Sequence, residues 1–361
     1  LSYIARYEMT PTDVLLRQIE ALIQETGQRG FHFVDEAAPP AALKALALRL
    51  LETTQTISWW GNIRFEEAFS PDLARLLAAS GCIALTAGLE AASDRFLRQM
   101  KKGITVDQTA RVAAAFRHAG ILVHAYLMYG LPGETIADTV DSLERVRQLF
   151  ANNLLQSAFW HRFTATAHSP VGLNPAAEGI IILGPTFEGF AENDLRHADP
   201  GASCPPWLGE GLRTAILNYI EQAGLTVPVQ QWFPQAVHPP RVPKTWLRRA
   251  LADAVPESLT AERRCVWIGG RPVVATRGGI RTKIILPTRM EDFSISVSSD
   301  QVEWLIDLLQ NASPSPVRAG LDYPRFADAR DHFPRTGARG FDRFAKTAAW
   351  HNTRQAGLLL V

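Results

Sequence analysis

Apolar positions in the first 165 residues alternate between two periods, one near 3.6 and one near 2. Leu15, Ile19, Leu22 and Ile23 fall on one helical stripe, with Thr10 placed as N-cap and Pro11 at the first helical position. Phe31 to Val34 is a short apolar run that stops at Asp35 and Glu36, and Pro39-Pro40 opens a second helix through Leu43, Leu46, Ala47 and Leu50. Residues 56–64 are rich in β-formers, and Ser70-Pro71 starts a third helix that Gly81 stops. Cys82 to Glu90 reads as a strand, with Gly88 marking a bend before its end. Thr105 and Gln108 form a capping-box pair for a helix running to Gly120. Ile121 to Tyr129 is a strand, Ile136, Val140, Leu143 and Val146 share one helical face, and Leu154 to Thr164 holds a last strand.

Strand and helix in strict alternation are the mark of parallel βαβ units, whose right-handed crossovers lay successive strands side by side. The fold class expected for residues 1–170 is α/β, a partial (β/α)6 TIM-like barrel. A doubly wound open sheet is the competing architecture. The barrel is preferred because every strand ends in a polar or glycine-rich loop, whereas a doubly wound sheet needs this only near its switch point. Beyond residue 170 proline becomes frequent, helices are expected at 209–223 and 244–254, and strands at 265–275 and 282–297 followed by a helix at 299–311. Residues 171–361 are therefore read as a C-terminal α+β region with a small β unit near 264–311. The tail, 323–361, carries Phe326, Phe333, Arg335, Arg339, Phe341, Arg343 and Phe344. It reads as an amphipathic tail docked on its own domain or as an arm touching RNA.

Composition narrows the class. Thirty-seven basic residues against thirty-six acidic ones leave a net charge of +1 over 361 residues, so no global field favours nucleic acid or a membrane. No apolar run reaches the length of a membrane span. Three widely separated cysteines, Cys82, Cys204 and Cys265, argue against a disulfide framework and for a reducing, cytoplasmic setting.

The strand ends are where barrel chemistry gathers. Alternation puts Trp60, Asn62 and Arg64 on one side of their strand, and His124, Tyr126 and Met128 on one side of theirs. A closed core would show Val, Ile and Leu there, so the inward face is expected to line a binding cavity. The plainer alternative has the aromatics packing under helices and the polar groups closing loops. Gly130-Leu131-Pro132-Gly133-Glu134 by itself is turn chemistry.

Gly88-Leu89-Glu90-Ala91-Ala92-Ser93-Asp94, Met100-Lys101-Lys102-Gly103-Ile104-Thr105 and Gly130-Leu131-Pro132-Gly133-Glu134-Thr135, in that order and spacing, resemble the second half of a radical S-adenosylmethionine (SAM) core. Phe31 to Glu36, Trp59 to Arg64, and His161 with His168-Ser169-Pro170 are similar to the branch whose members often carry an N-terminal cobalamin-binding domain. The resemblance covers about the first half of the chain. It implies that SAM lies across the C-terminal strand edges and is cleaved reductively to a 5′-deoxyadenosyl radical. It also implies a small-molecule substrate, a flavodoxin- or ferredoxin-type reductant, and cobalamin if the N-terminal domain is present.

By the same resemblance, Asp35 and Glu36 stand where relatives contact the methionyl amine, a cation that needs a charged acceptor. Asn62 and Arg64 close the second strand, and Arg64 and Glu90 lie where relatives contact the ribose or methionyl end. Lys101 or Lys102 falls where relatives hold the SAM carboxylate, and Tyr126 faces the nucleoside. Trp160, His161 and Arg162 are the substrate-side candidates. For Lys101 and Lys102 a solvated helix end is the alternative, and for Asp35 or Glu36 a cap on the following helix.

One departure is large. The family's 4Fe-4S cluster is held by a CxxxCxxC loop, and no pair among these three cysteines has such spacing. Nine histidines supply no HxxxH or HExxH pair, so no replacement metal site is expected. A first residue that is Leu, and an abrupt opening at Tyr3 to Tyr7, lead to the expectation that the cluster loop lies upstream and that the chain alone is inactive. A non-catalytic barrel that binds a SAM-like ligand or a partner is the alternative.

Overall fold

Why each strand of the first half forms where it does is visible in its flanks. The structure is a computed structural model describing residues 9–53, 55–184, 193–202, 204–252, 262–278, 281–316 and 322–361. The opening stretch Tyr3 to Tyr7 lies outside the described residues. Helix α1 (Thr12–Thr26) begins one residue later than expected, with Pro11 as its N-cap. It buries Ile19 and Ile23 while Leu22 is exposed, because α1 packs chiefly on one neighbour and needs only a narrow stripe.

Then follow β1 (Gly30–Phe33), α2 (Pro40–Glu52), β2 (Ser58–Ile63), α3 (Pro71–Ala79), β3 (Cys82–Glu90), α4 (Asp94–Gln99), α5 (Val106–His118), β4 (Leu122–Tyr129), α6 (Ile136–Ala151) and β5 (Ser157–Arg162). Ser70 caps α3 by accepting from Leu73 N–H, and Thr135 with Asp138 forms a capping box on α6. Thr105 caps α5 as expected, but the Gln108 amide donates to the Phe65 carbonyl instead of closing the box. Gly81 is obligatory: at φ +96° it turns into β3 so tightly that a Cβ would meet the Ile57 carbonyl at 2.0 Å.

The five strands make one parallel sheet in the order β1-β2-β3-β4-β5, as expected of a partial TIM-like barrel. Register shifts at Trp59/Trp60 and at Gly88/Glu90 bend it, the second at the glycine singled out in the sequence. One face is covered by helices and holds the core, with Trp59, Leu85, Val123, Leu127 and Ala158 buried there. The other face stays open, presenting His32, Trp60, Tyr126 and Phe159 to solvent.

Beyond β5 the backbone pairs only briefly. Strand β6 (Ala165–Thr166) pairs with β8 (Asp194–Leu195), and β7 (Ile181–Ile182) with β9 (His197–Ala198), around the short helix α7 (Pro170–Leu173). Helices α8 (Pro206–Ile220) and α9 (Trp246–Ala252) return to the barrel and pack on its outer layer.

The stretch read as one strand at 265–275 is two, β10 (Cys265–Trp267) and β11 (Val273–Gly278). The stretch at 282–297 is also two, the hairpin strands β12 (Arg281–Pro287) and β13 (Asp292–Ser298), joined through an exposed turn at Arg289-Met290. Helices α10 (Ser299–Ala312), α11 (Phe326–Asp331), α12 (Gly337–Phe344) and α13 (Ala348–Ala356) complete this region, and β14 (Leu358–Leu360) pairs antiparallel with β10.

The tail is docked. Phe326, Phe333, Phe341 and Phe344 are buried in a second core with Trp350, so no free aromatic arm is left to stack on bases. Asp72 on α3 ties the two regions, accepting from Arg354 Nη2 and Leu360 N–H, each at 2.6 Å. Buried Glu52 takes the Tyr323 hydroxyl at 2.9 Å. Among the described residues no helix is long and apolar enough to cross a membrane.

Candidate functional site at the C-terminal edge of the sheet

Parallel strands bring their C-terminal ends to one edge, so Asp35, Arg64, Glu90, Gly130 and Arg162 are neighbours there despite their distance in sequence. The tightest group joins β2 and β3. Glu90 is almost fully buried, sits in the left-handed region at φ 58°, and pairs with Lys102 Nζ at 2.7 Å. Arg64 donates through Nη2 to the Lys102 carbonyl. A non-glycine residue at positive φ costs about 1 kcal/mol or more. Here the bulge at Gly88/Glu90 holds it, and turns the carboxylate back over Gly88.

A second group joins β1 and β2, where Asn62 Nδ2 donates to the Asp35 carbonyl at 2.9 Å. The Asp35 and Glu36 side chains are exposed, and neither caps α2, whose N-cap is Pro39 without a side-chain hydrogen bond. Lys101 is exposed at φ 52°, so of the two lysines only Lys102 enters the cluster. It does so as a paired cation.

The open face carries a third group. The ring centroid of Tyr126 lies 5.1 Å from that of His124 and 5.8 Å from that of His161, which in turn lies 4.7 Å from Phe159. His124 Nδ1 and Ser157 Oγ are 2.7 Å apart. Burial, helped by the neighbouring His161, holds the His124 imidazole below its ordinary range. At the far side His32 stacks on Trp60 with centroids 5.0 Å apart.

Trp160 does not belong with the substrate-side candidates. It pairs in register with buried Leu127 and lies on the helix-covered side, packed edge-on against Tyr129. Strand side chains alternate, so accepting His161 requires Phe159 and rejects Trp160. Phe159 and Ser157 were therefore legible in the sequence by parity.

The loop after β4 is built by buried Glu134. Its carboxylate accepts from Leu131 N–H at 2.9 Å and from the Thr139 hydroxyl at 2.7 Å, and burial pushes its pKa up. Asp199 accepts from Gly133 N–H, bringing the segment after β9 against this loop. Cys204 arrives with it. A Cβ added at Gly130 would lie 2.8 Å from its sulfur, and the thiol also meets Arg162.

These cysteines do not fit an iron–sulfur cluster. Cys82 starts β3, at the end opposite the polar edge, and burial raises its thiol well above the usual range. Cys265 lies in β10 and is pushed up to about 12 by burial. Cys204 alone reaches the edge, half-buried, its thiol also raised by burial. Cluster ligands are thiolates, three or four together. Among the described residues no three His, Cys, Asp or Glu side chains are grouped to hold a metal.

The fold and the edge define an α/β half-barrel with a polar mouth. Residues 3–146 match the family described as the Radical SAM superfamily. An uncharacterized methyltransferase of Pyrococcus horikoshii is 22% identical over 188 residues, covering 45% of this chain and 41% of the relative. A tRNA-2-methylthio-N(6)-dimethylallyladenosine synthase of Mycobacterium ulcerans is 31% identical over 141 residues, covering 36% and 26%. The chain thus spans less than half the length of these curated relatives. Among solved structures, the radical SAM methyltransferase TsrM of Kitasatospora setae, with cobalamin and a 4Fe-4S cluster bound, superposes with a TM-score of 0.46. It shares 18% identity, over 60% of this chain and 47% of that one.

Proposed function

We propose that residues 1–170 form the SAM-holding part of a radical SAM enzyme, and that the 361 residues by themselves bind SAM without cleaving it. The observation that carries the reading is the Glu90–Lys102–Arg64 cluster at the strand edge, inside the stretch that matches the family. SAM presents an ammonium, a carboxylate and a nucleoside. Glu90 is the acceptor for the ammonium, Lys102 the cation for the carboxylate, and Arg64 holds the Lys102 segment in place through its carbonyl. In the ligand-free arrangement the two charges face each other, so a zwitterion docks by exchanging that pair for two complementary ones. Tyr126 and Asn62 line the open face beside it, with Asp35 and Glu36 at the β1 end.

His161 and Phe159 face the side where a substrate would approach, with His124 behind them, and Arg162 closes the end of β5 beside Cys204. The reductive step depends on a cluster whose ligands this chain does not group, so no step of that chemistry is assigned to these residues. No role proposed here rests on a reductant of the flavodoxin or ferredoxin type, on cobalamin or on a particular substrate.

Calorimetric titration with SAM tests the reading. Saturable binding that is weakened by Glu90→Gln and by Lys102→Ala, with melting shifts no larger than about 2–4 °C, supports it. The absence of binding, or binding indifferent to both variants, overturns the assignment of the edge. Iron and sulfide analysis after anaerobic reconstitution tests the second half, and a stoichiometric cluster on this chain would sink it.

A further inference from the structure

Three arginines converge on a cavity that the barrel mouth does not share. It lies in the C-terminal region, between the outer edge of β13 and helix α12, and encloses about 550 Å³. Arg281 reaches across from β12 and donates to Ser296 Oγ at 3.0 Å and to the Ser296 carbonyl at 2.6 Å. Arg335 pairs with Asp300 at 3.1 Å, and Arg343 follows from α12. Among the described residues Asp300 is the only carboxylate lining the cavity, and Arg343 has no ion-pair partner there.

The sequence pattern explains this placement. Phe341 and Phe344 anchor one side of α12 in the core and leave Arg343 on its exposed side, while Arg335 stands in the loop before α12. The docked tail thus spends its aromatic residues on folding and leaves Arg335 and Arg343 beside one hollow. Asp300 offsets one of these three charges, so the lining keeps an excess of positive charge that favours an anion. The guanidinium fork matches phosphate geometry, and the serine and threonine hydroxyls of the lining add further donors. Phe333 and Phe344 give the floor an apolar portion, and the volume falls in the range of small-molecule sites.

We propose that this cavity binds a phosphate ester of small-molecule size, its phosphoryl group held by Arg281 and Arg343 and its remaining body lying on the Phe333–Phe344 floor. Arg335 is partly neutralised by Asp300, which sets the affinity from the opposite direction. The site is independent of the barrel mouth and does not rest on SAM binding there.

The test uses the full chain and uridine 5′-monophosphate as the probe, chosen because it lacks the adenine that the barrel mouth would recognise. Uridine, inorganic phosphate and a short oligouridylate form the comparison set. Saturable binding of the monophosphate, competed by inorganic phosphate and absent for uridine, is expected. Arg343→Ala and Arg281→Ala should each weaken it about tenfold or more. Asp300→Asn should strengthen it, and Arg17→Ala on α1 should leave it unchanged. Arg343 and Arg281 are exposed, so unfolding curves that overlay the parent's are expected for both variants. Equal binding of uridine, indifference to all three cavity variants, or binding confined to the oligonucleotide would each overturn the proposal, the last in favour of an extended polyanion surface.

Discussion

Replacing Gly88 by alanine probes the strand edge at one atom. The added Cβ would stand 2.3 Å from Glu90 Oε1, 3.1 Å from its Cδ and 3.8 Å from its Cγ, with no backbone atom among these contacts. Gly88 is not among the glycines at positive φ, so the backbone accepts alanine and only the Glu90 carboxylate has to move. Moving it breaks the 2.7 Å pair with Lys102, whose side chain is 39% exposed. A pair so open to solvent contributes no more than about 1 kcal/mol, a melting shift of about 2–4 °C. If Glu90 holds the SAM ammonium, the same displacement removes a hydrogen bond between charged groups worth about 1.5–3 kcal/mol, or about 10–100-fold in affinity. Titration calorimetry and a melting curve on the same preparation measure both quantities, with Gly30→Ala, where a Cβ meets nothing within 4 Å, as control. An affinity within about twofold of the parent would refute the role given to Glu90. A melting drop beyond about 8 °C would refute the claim that only a side chain moves.

Other outcomes follow from the same coordinates. Asp72→Ala removes the carboxylate that takes both Arg354 and Leu360 N–H, so urea unfolding should show a loss of about 3 kcal/mol, felt in both halves of the chain. His124 has its folded pKa lowered by burial, so its contribution is intact above the ordinary value of 6.5 and is lost as pH falls through the folded value. Melting temperature against pH should therefore decline below about 6.5, and His124→Gln should flatten that decline; parallel curves would contradict it. Glu134 has the opposite sense, its pKa raised by burial, so its contribution is present below the ordinary carboxylate range and fades as pH rises through the folded value. Glu134→Gln should remove that fade. A disulfide-exchange reagent added to native protein should label Cys204 slowly, and Cys82 and Cys265 only on unfolding, because all three thiols are held protonated by burial.

Hydrophobic period and turn chemistry were sufficient to read the barrel half. Bounds of β3 and the bulge at Gly88 were legible because a single glycine near the end of an otherwise β-forming run has few other uses. The helix starts at Ser70 and Thr105 were legible because they act on N–H groups three residues away, whereas Thr135, quoted only within the Gly130 to Thr135 motif, is shown to be a cap by the structure. Parity was enough to separate Phe159 from Trp160, yet the polar character of the neighbouring His161 and Arg162 drew Trp160 into the substrate set. Residues 282–297 were read as one strand because a hairpin turn of ordinary residues, as at Arg289-Met290, leaves little trace in a hydrophobic pattern, whereas at 265–275 the break was written in Gly269-Gly270-Arg271-Pro272 and was passed over.

By itself, then, the sequence determined the order of elements, the parallel sheet, the resemblance of residues 3–146 to a radical SAM core and the absence of a cluster motif, since all four depend on residues close together in the chain. Only the tertiary structure decided which charges meet. Lys102 is paired with Glu90, Cys204 comes to the edge beside Gly130 and Arg162, and three arginines from β12, α12 and the loop before it surround one cavity. Coulomb energy and hydrogen bonding act over a few ångströms, and the chain path that brings such groups together spans tens to hundreds of residues.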